Sequence, residues 1–234
     1  MMKKIKGIIF DKDGTLFDIQ RSWSEWAKVF VTKFSNQHNL DTLKLAKAIN
    51  FDLASDKFVR ESIFVHGSVD EVVDAICQKF PQVTKKKIHE GLFEGSGDAK
   101  QVPLTNLHKL FTNLEKITLG LVTNDSETNG IKHLEQHDLT QYFDMIIGYD
   151  SGYGSKPEPG QLEAFLRKTN LLPQEVLMIG DSTYDLVAAN KINMPCLGVL
   201  SGTANKKDLS PYTPFIIDSI DELESWLKKT FLNC

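Results

Sequence analysis

Cysteine is scarce in this 234-residue chain, with only Cys77, Cys196 and Cys234 present. They are far apart and odd in number, so no disulfide framework and no Cys-x-x-Cys zinc site follows, and a reducing, cytoplasmic setting is expected. Positive charge is not in excess either. Lys and Arg number 27 against 31 Asp and Glu, a formal net charge of -4, and without a basic stripe nothing points to nucleic acid. The densest basic run, Lys85-Lys86-Lys87, reads as a solvated helix face. No apolar run is long enough to span a bilayer. Asp11 interrupts the first apolar residues too early for a secretory leader. Internal repeats and low-complexity tracts are absent. What remains is ordinary globular composition, 41% hydrophobic and 25% charged, in a length that suits one large domain or one domain with an insert.

The stretch Ile8-Ile9-Phe10-Asp11-Lys12-Asp13-Gly14-Thr15 organises the rest. A short apolar run ending at a turn reads as a buried strand of a parallel sheet. Open α/β sheets place ligands at the carboxyl ends of their strands. Asp11 and Asp13 therefore stand at such a mouth, with Gly14 allowing the turn. Two carboxylates this close repel unless a cation intervenes, and all-oxygen ligands suit Mg2+. An Asx-turn after a strand is the plainer alternative. A calcium loop is set aside, because Gly follows the second Asp immediately and the pattern needs a further oxygen ligand before it.

Beyond Asp18 the apolar period becomes helical. Trp23, Trp26, Ala27, Phe30 and Phe34 form one stripe, and Val69, Val72, Val73, Ile76 and Phe80 another. Leu40 to Arg60 between them also reads as helix, so the segment from about Ile19 to about Leu92 is expected to be all-helical, its aromatics serving as core. Glu94 to Asp98 reads as a linker ended by Pro103. From Leu104 helices alternate with apolar runs: Ile117–Val122, Met145–Ile147, Val176–Ile179, Cys196–Val199 and Phe215–Ile217, with a closing helix marked by Ile220, Leu223, Trp226 and Leu227. This alternation predicts an α/β fold, a doubly wound parallel sheet with the helical segment inserted after its first strand. The expected division is 1–18 with 95–234 as α/β core and 19–94 as helical insert.

The later strand ends carry chemistry too. Thr123 and Asn124 follow the second strand and can donate to an anion, or simply cap a helix. Lys156, fixed in extended backbone by Pro157, can reach a phosphate, although a surface lysine is the commoner case. Gly180-Asp181 through Asp185 ends the fourth strand, with two carboxylates four apart that either cap the helix or complete a metal site. His133 and His137 are also four apart, but His-Leu-Glu-Gln-His lacks the Glu of the zinc-protease pattern, and a solvated helix is expected there.

Four consecutive strand ends bearing Asp/Asp, Thr/Asn, Lys and Asp/Asp resemble the haloacid dehalogenase superfamily in its phosphatase branch. Phe10 to Thr15, Thr123-Asn124, Lys156-Pro157 and Gly180 to Asp185 resemble its four motifs. Val176 to Val199 is similar to phosphoglycolate phosphatase-like members, and the resemblance implies a Rossmann-like catalytic core of 1–18 and 95–234 with the helical insert, 19–94, as its cap domain. The resemblance implies a Mg2+-dependent phosphatase hydrolysing small phosphate monoesters through an aspartyl-phosphate. It implies Asp11 as nucleophile and Asp13 as general acid–base, with Thr123, Asn124 and Lys156 on the phosphoryl oxygens. Mg2+ would be held by Asp11, Asp13 (through its carbonyl) and Asp181, and Asp185 would orient Lys156 or the metal waters. The implied partner is a small phosphorylated metabolite, with no nucleic acid and no membrane; the oligomeric state is open, a monomer being compatible. Phosphoglycolate, a sugar phosphate and a nucleotide monophosphate all remain as substrates. A phosphomutase, a phosphonate-cleaving enzyme using Lys28, Lys33 or Lys57, and a phospho-switch without turnover are the alternatives; Asp13 argues against the last, since a pure acceptor needs no second acid.

Overall fold

A computed structural model describes residues 4–59 and 62–231. Strand β1 (Gly7–Phe10) is buried throughout and leads into the 20-residue helix α1 (Ile19–His38). Asp18 caps α1, accepting from the Arg21 amide, and Asn39 ends it in a left-handed conformation, which Asn tolerates. Four more helices follow: α2 (Thr42–Ala48), α3 (Ile63–His66), α4 (Val69–Lys79) and α5 (Lys85–Phe93). They gather α1 into one apolar cluster built around Trp26, Phe30, Leu45, Ile76 and Ile88.

The helix expected over Leu40 to Arg60 is observed only over Thr42–Ala48, and Arg60 itself lies outside the described residues. Helix α2 stops at Ala48. A small antiparallel hairpin follows, β2 (Phe51–Asp52) with β3 (Lys57–Phe58). Asn50 and Asp56 take left-handed φ values of 54° and 51°, and the Asp52 carboxylate accepts from Ala54 N and Ser55 Oγ inside the turn. These local bonds compete with helix. Phe51 and Phe58 pair across the strands, rings 5.0 Å apart, and seal the cluster. The expected linker is also more ordered than its composition suggests: Ser96–Asp98 forms a 3-10 turn with Ser96 and Gly97 buried.

The second half alternates as expected: α6 (Leu107–Asn113), β4 (Thr118–Val122), α7 (Glu127–Glu135), β5 (Met145–Ile147), α8 (Gly160–Thr169), β6 (Val176–Gly180), α9 (Thr183–Lys191), β7 (Cys196–Val199), the short α10 (Lys206–Leu209), β8 (Ile216–Ile217) and α11 (Leu223–Phe231). The sheet order is β5-β4-β1-β6-β7-β8, parallel throughout. Residues of β1 alternate between its faces. Ile8 and Phe10 join Leu110, Phe111 and Leu223 on one side; Ile9 joins Phe165, Met178 and Leu186 on the other. Burial on both faces is why these strands read as unbroken apolar runs.

The chain adds β4 and β5 on one side of β1, then crosses to add β6, β7 and β8 on the other. Such a reversal opens a crevice at the carboxyl ends of the central strands. Asp11 follows β1 and Asp181 follows β6, so both acids arrive at that crevice.

Candidate active site

Asp11, Asp181 and Asp185 offer carboxylate oxygens within 4.8 Å of one another, and all three are buried. Lys156 enters from the loop after β5 and binds two of them. Its Nζ donates to Asp11 Oδ1 at 2.6 Å, to Asp185 Oδ1 at 2.6 Å and to the Val122 carbonyl at 3.0 Å. Those are the three hydrogens an ammonium has. Burial alone would lower its pKa, but Asp11 and Asp185 overcome that and hold it above the usual lysine range. Asn124 supports this lysine from β4: its Oδ1 accepts from Lys156 N and its Nδ2 donates to Lys156 O, each at 2.9 Å. Thr123 Oγ1 accepts from Asp125 N at 3.0 Å. Asp185 is further fixed by Ser182, whose Oγ donates to it at 2.6 Å.

The acids remain under-compensated. Burial first, then the neighbouring Asp185, raises the Asp11 pKa to about 7 against the opposing pull of Lys156. Burial and the charges of Asp11 and Asp185 push Asp181 well above the carboxylate range, and Asp181 Oδ2 has no hydrogen-bond partner. A buried acceptor without a donor is costly. An orphaned oxygen in a cluster of three carboxylates fits a hard divalent cation, and the cluster is a candidate Mg2+ site.

Two glycines make room for Asp181. A Cβ on Gly202 would lie 1.7 Å from Asp181 Oδ2, and one on Gly14 would lie 2.6 Å from it. Gly14 also has φ +87°, which disfavours a side chain there.

A second charged cluster was not legible in the sequence. Lys12 is wholly buried. Its Nζ lies 2.5 Å from Asp13 Oδ2, 3.0 Å from His133 Nδ1 and 3.4 Å from Asp125 Oδ2, and 5.1 Å from the centre of the Trp23 ring. Burial opposes its charge, yet Asp13 and then Asp125 raise its pKa above the usual value. A charged lysine can only donate, so His133 Nδ1 accepts and its Nε2–H donates to Ser96 O at 3.0 Å. Burial and the Lys12 charge lower His133 to about 3, which keeps it neutral. The helix carrying it is therefore not a solvated face. Asn129, His133 and Leu134 are buried, because α7 packs this side against the Ser96 turn and the Lys12 ammonium. His133 is engaged on both nitrogens, and His137 bonds elsewhere, to Gln101 O.

Asp13 carries its own clamp. Trp23 Nε1 donates to Asp13 Oδ1 at 2.6 Å. Burial pushes this carboxyl up, but Lys12, by charge and hydrogen bond, and then the Trp23 bond hold it below the usual range. A position between two aspartates and a tryptophan ten residues on carry no motif of their own. The only available signal for Lys12 was its place directly after a buried strand.

The lysines weighed for Schiff-base chemistry stand apart. Lys28 pairs with Asp56 and Lys33 with Glu94 on the surface, and neither they nor Lys57 line the cavity over the acids.

Two predictions follow from this geometry. Lys12→Met leaves Asp13 Oδ2 and His133 Nδ1 buried without their donor and Asp125 without its nearby positive charge, and should cost on the order of 3–5 kcal/mol, read from the urea midpoint; a loss below about 1 kcal/mol would show the cluster to be unimportant for folding. Gly202→Ala should displace the Asp181 carboxylate, so that Mg2+ no longer raises the melting temperature although the chain still folds. An unchanged Mg2+ response would remove Asp181 from the metal site.

The fold and site have clear relatives. The family model for haloacid dehalogenase-like hydrolases matches residues 8–199. A phosphoglycolate phosphatase of Vibrio cholerae is 27% identical over 95% of this chain and 96% of its own. A pyrophosphatase of Oceanobacillus iheyensis is 26% identical over 94% of this chain and 95% of its own. Among solved structures, one from Haemophilus somnus described as a predicted phosphoglycolate phosphatase superposes with TM-score 0.74 over 97% of this chain and 99% of its own, at 18% identity. With the matched model spanning most of the chain and the acids gathered at the sheet's switch point, the protein belongs to the haloacid dehalogenase-like hydrolases.

Proposed function

We propose that this hydrolase cleaves small phosphate monoesters in two steps through an aspartyl-phosphate on Asp11. The observation that carries the reading is the meeting of Asp11, Lys156, Asp181 and Asp185 at the carboxyl ends of β1 and β6, with Asp13 two residues from Asp11. In the first step an Asp11 oxygen forms a bond to phosphorus as the ester P–O bond breaks, and Asp13 protonates the departing alkoxide. In the second, Asp13 takes a proton from water, whose oxygen bonds to phosphorus while the Asp11–phosphorus bond breaks. Lys12 and Trp23 keep Asp13 ionised before substrate arrives, the form that serves as base; an incoming phosphate dianion raises its pKa by like-charge repulsion, so that Asp13 takes up from solvent the proton it then gives to the alkoxide.

Thr123, Asn124 and Lys156 take the phosphoryl oxygens in this reading, Lys156 by giving up its bond to Asp11 as the phosphate arrives. Asn124 does so while bracing the Lys156 backbone. Asp11 and Asp181, with the Asp13 carbonyl, would hold Mg2+, and Asp185 fixes Lys156. When bound, the ion offsets repulsion between the carboxylate and the phosphate. Residues 19–94 act as a cap that excludes water from the site. Among the described residues no helix is long and apolar enough to cross a membrane, and the reading includes a cytoplasmic setting. Phosphoglycolate, named for the Vibrio cholerae relative, is one monoester to assay.

The test separates the two roles of Asp13. An aryl phosphate expels a stabilised phenolate and needs little acid assistance, whereas an alkyl phosphate needs much. Asp13→Asn should slow phosphorylation by the alkyl ester by about 10²–10⁴-fold and by the aryl ester far less. Rapid mixing with the aryl ester should show a burst of about one phenolate per site and then slow release. Equal slowing of both esters without a burst, with Mg2+ binding intact, would remove Asp13 from the acid–base role.

A further inference from the structure

We propose that His133 is a positioning residue of the reaction, fixing Lys12 and through it the orientation of the Asp13 carboxyl. The assignment rests on the phosphatase reading above. An acid–base residue works only where its oxygen lies within hydrogen-bond reach of the proton it moves. Asp13 is held at both oxygens: Lys12 Nζ lies 2.5 Å from its Oδ2, and Trp23 Nε1 donates to its Oδ1 at 2.6 Å. Trp23 stands in the roof of the cavity over Asp11, which the insert supplies with Trp26, Phe64 and Val72, and its ring is locked into the apolar cluster of the insert. Lys12 has no such ring to lock; its ammonium ends a flexible four-carbon stem.

That ammonium stands between two carboxylates. Asp125 Oδ2 lies 3.4 Å from Lys12 Nζ and finds no hydrogen-bond donor among the described residues. An ammonium turned fully toward Asp125 would leave Asp13 Oδ2 without its donor. His133 decides between the two. Its side chain is wholly buried, its Nδ1 accepts from Lys12 at 3.0 Å, and the same nitrogen sits 3.8 Å from Asp125 Oδ2. With one hydrogen on His133 and another on Asp13, the ammonium stays beyond a good hydrogen-bond length from Asp125.

The imidazole is itself held. Its Nε2–H donates to Ser96 O at 3.0 Å, and its ring meets that of Trp23 edge to face, centroids 5.4 Å apart. Ser96 opens the 3-10 turn Ser96–Asp98, which carries the chain from the insert back to the core. Ser96 Oγ donates to Phe93 O at the end of α5 and accepts from Asn129 Nδ2 on α7. A line of hydrogen bonds thus runs from this turn through His133 and Lys12 to Asp13. Misplacing a reacting group by about 1 Å can cost about 10²-fold in rate, so what fixes Lys12 bears on the chemistry as well as on folding.

The test exchanges one nitrogen of His133 at a time. His133→Asn keeps an acceptor near the place of Nδ1 and gives up the bond to Ser96. His133→Gln keeps a donor toward Ser96 and gives up the acceptor for Lys12. Rapid mixing with Mg2+ should find phosphorylation by an alkyl ester about 10–100-fold slower in His133→Gln and phosphorylation by an aryl ester changed less than about twofold. His133→Asn should retain most of the alkyl rate. Equal slowing of both esters, or equal loss in the two variants, would mark His133 as merely structural and overturn the proposal. Two nitrogen-15 spectra need no turnover. In the unsubstituted chain His133 should carry its proton on Nε2 alone. The Trp23 indole N–H signal, identified by its loss in Trp23→Phe, should move in His133→Gln and hold in His133→Asn. A proton on Nδ1, or an indole signal unmoved in His133→Gln, would overturn the proposal as well. Phosphoryl transfer from neither ester, with both spectra as expected, would leave the clamp on Asp13 established and count against the hydrolase reading instead.

Discussion

Five carboxylates, those of Asp11, Asp13, Asp125, Asp181 and Asp185, are largely withdrawn from water at one end of the sheet, and two ammonium groups, Lys12 and Lys156, stand among them. Like charges in a medium of low polarity repel strongly, and the surrounding structure is arranged around containing that repulsion. Lys156 donates to three acceptors, whereas Lys12 has Asp13 and His133 as acceptors with the charge of Asp125 close by, and each lysine is made tolerable by these partners. Asn124 anchors one lysine through its backbone; neutral His133 and the Ser96 turn enclose the other. The acids that remain without a full complement are those nearest the cavity, where a cation and a phosphate are to be received.

The two lysines divide the site. Lys156 serves Asp11 and Asp185, on the side of β4, β5 and β6. Lys12 serves Asp13 and Asp125 and is covered by Trp23 from the insert. Trp23 thus belongs at once to the apolar cluster of α1 and to the hydrogen bonding of the proposed acid–base residue. The same helix supplies Trp26 to the roof, so the insert acts on both the chemistry and the shape of the cavity.

The parallel sheet was legible because its strands are buried on both faces and stand out as apolar runs, and because the acids sit where such runs stop. Asp11 and Asp181 were legible for the same reason, whereas Lys156 lies beyond a loop after β5 and was read only from Pro157 holding it in extended backbone. The hairpin after α2 was not. Its four strand residues are fewer than a period-two pattern needs, and it depends on left-handed Asn50 and Asp56 rather than on strand propensity. Lys12 and His133 were hidden because a buried charge is visible only through partners that lie far along the chain; His133 was read as a solvated residue on its local neighbours alone. The roof was hidden differently. Trp23, Trp26 and Val72 sit on stripes indistinguishable from ordinary core, and they are both core and cavity wall.

The account's central claim is that the buried Asp11 carboxylate becomes covalently bonded to phosphorus. The direct measurement is to quench the chain with Mg2+ and an aryl phosphate during turnover, reduce with borohydride, and locate the altered residue by peptide mass spectrometry. Reduction of an acyl phosphate converts aspartate to homoserine, and the account predicts that conversion at Asp11 alone. Conversion at Asp13, Asp181 or Asp185, or phosphate release with no residue converted, would contradict it.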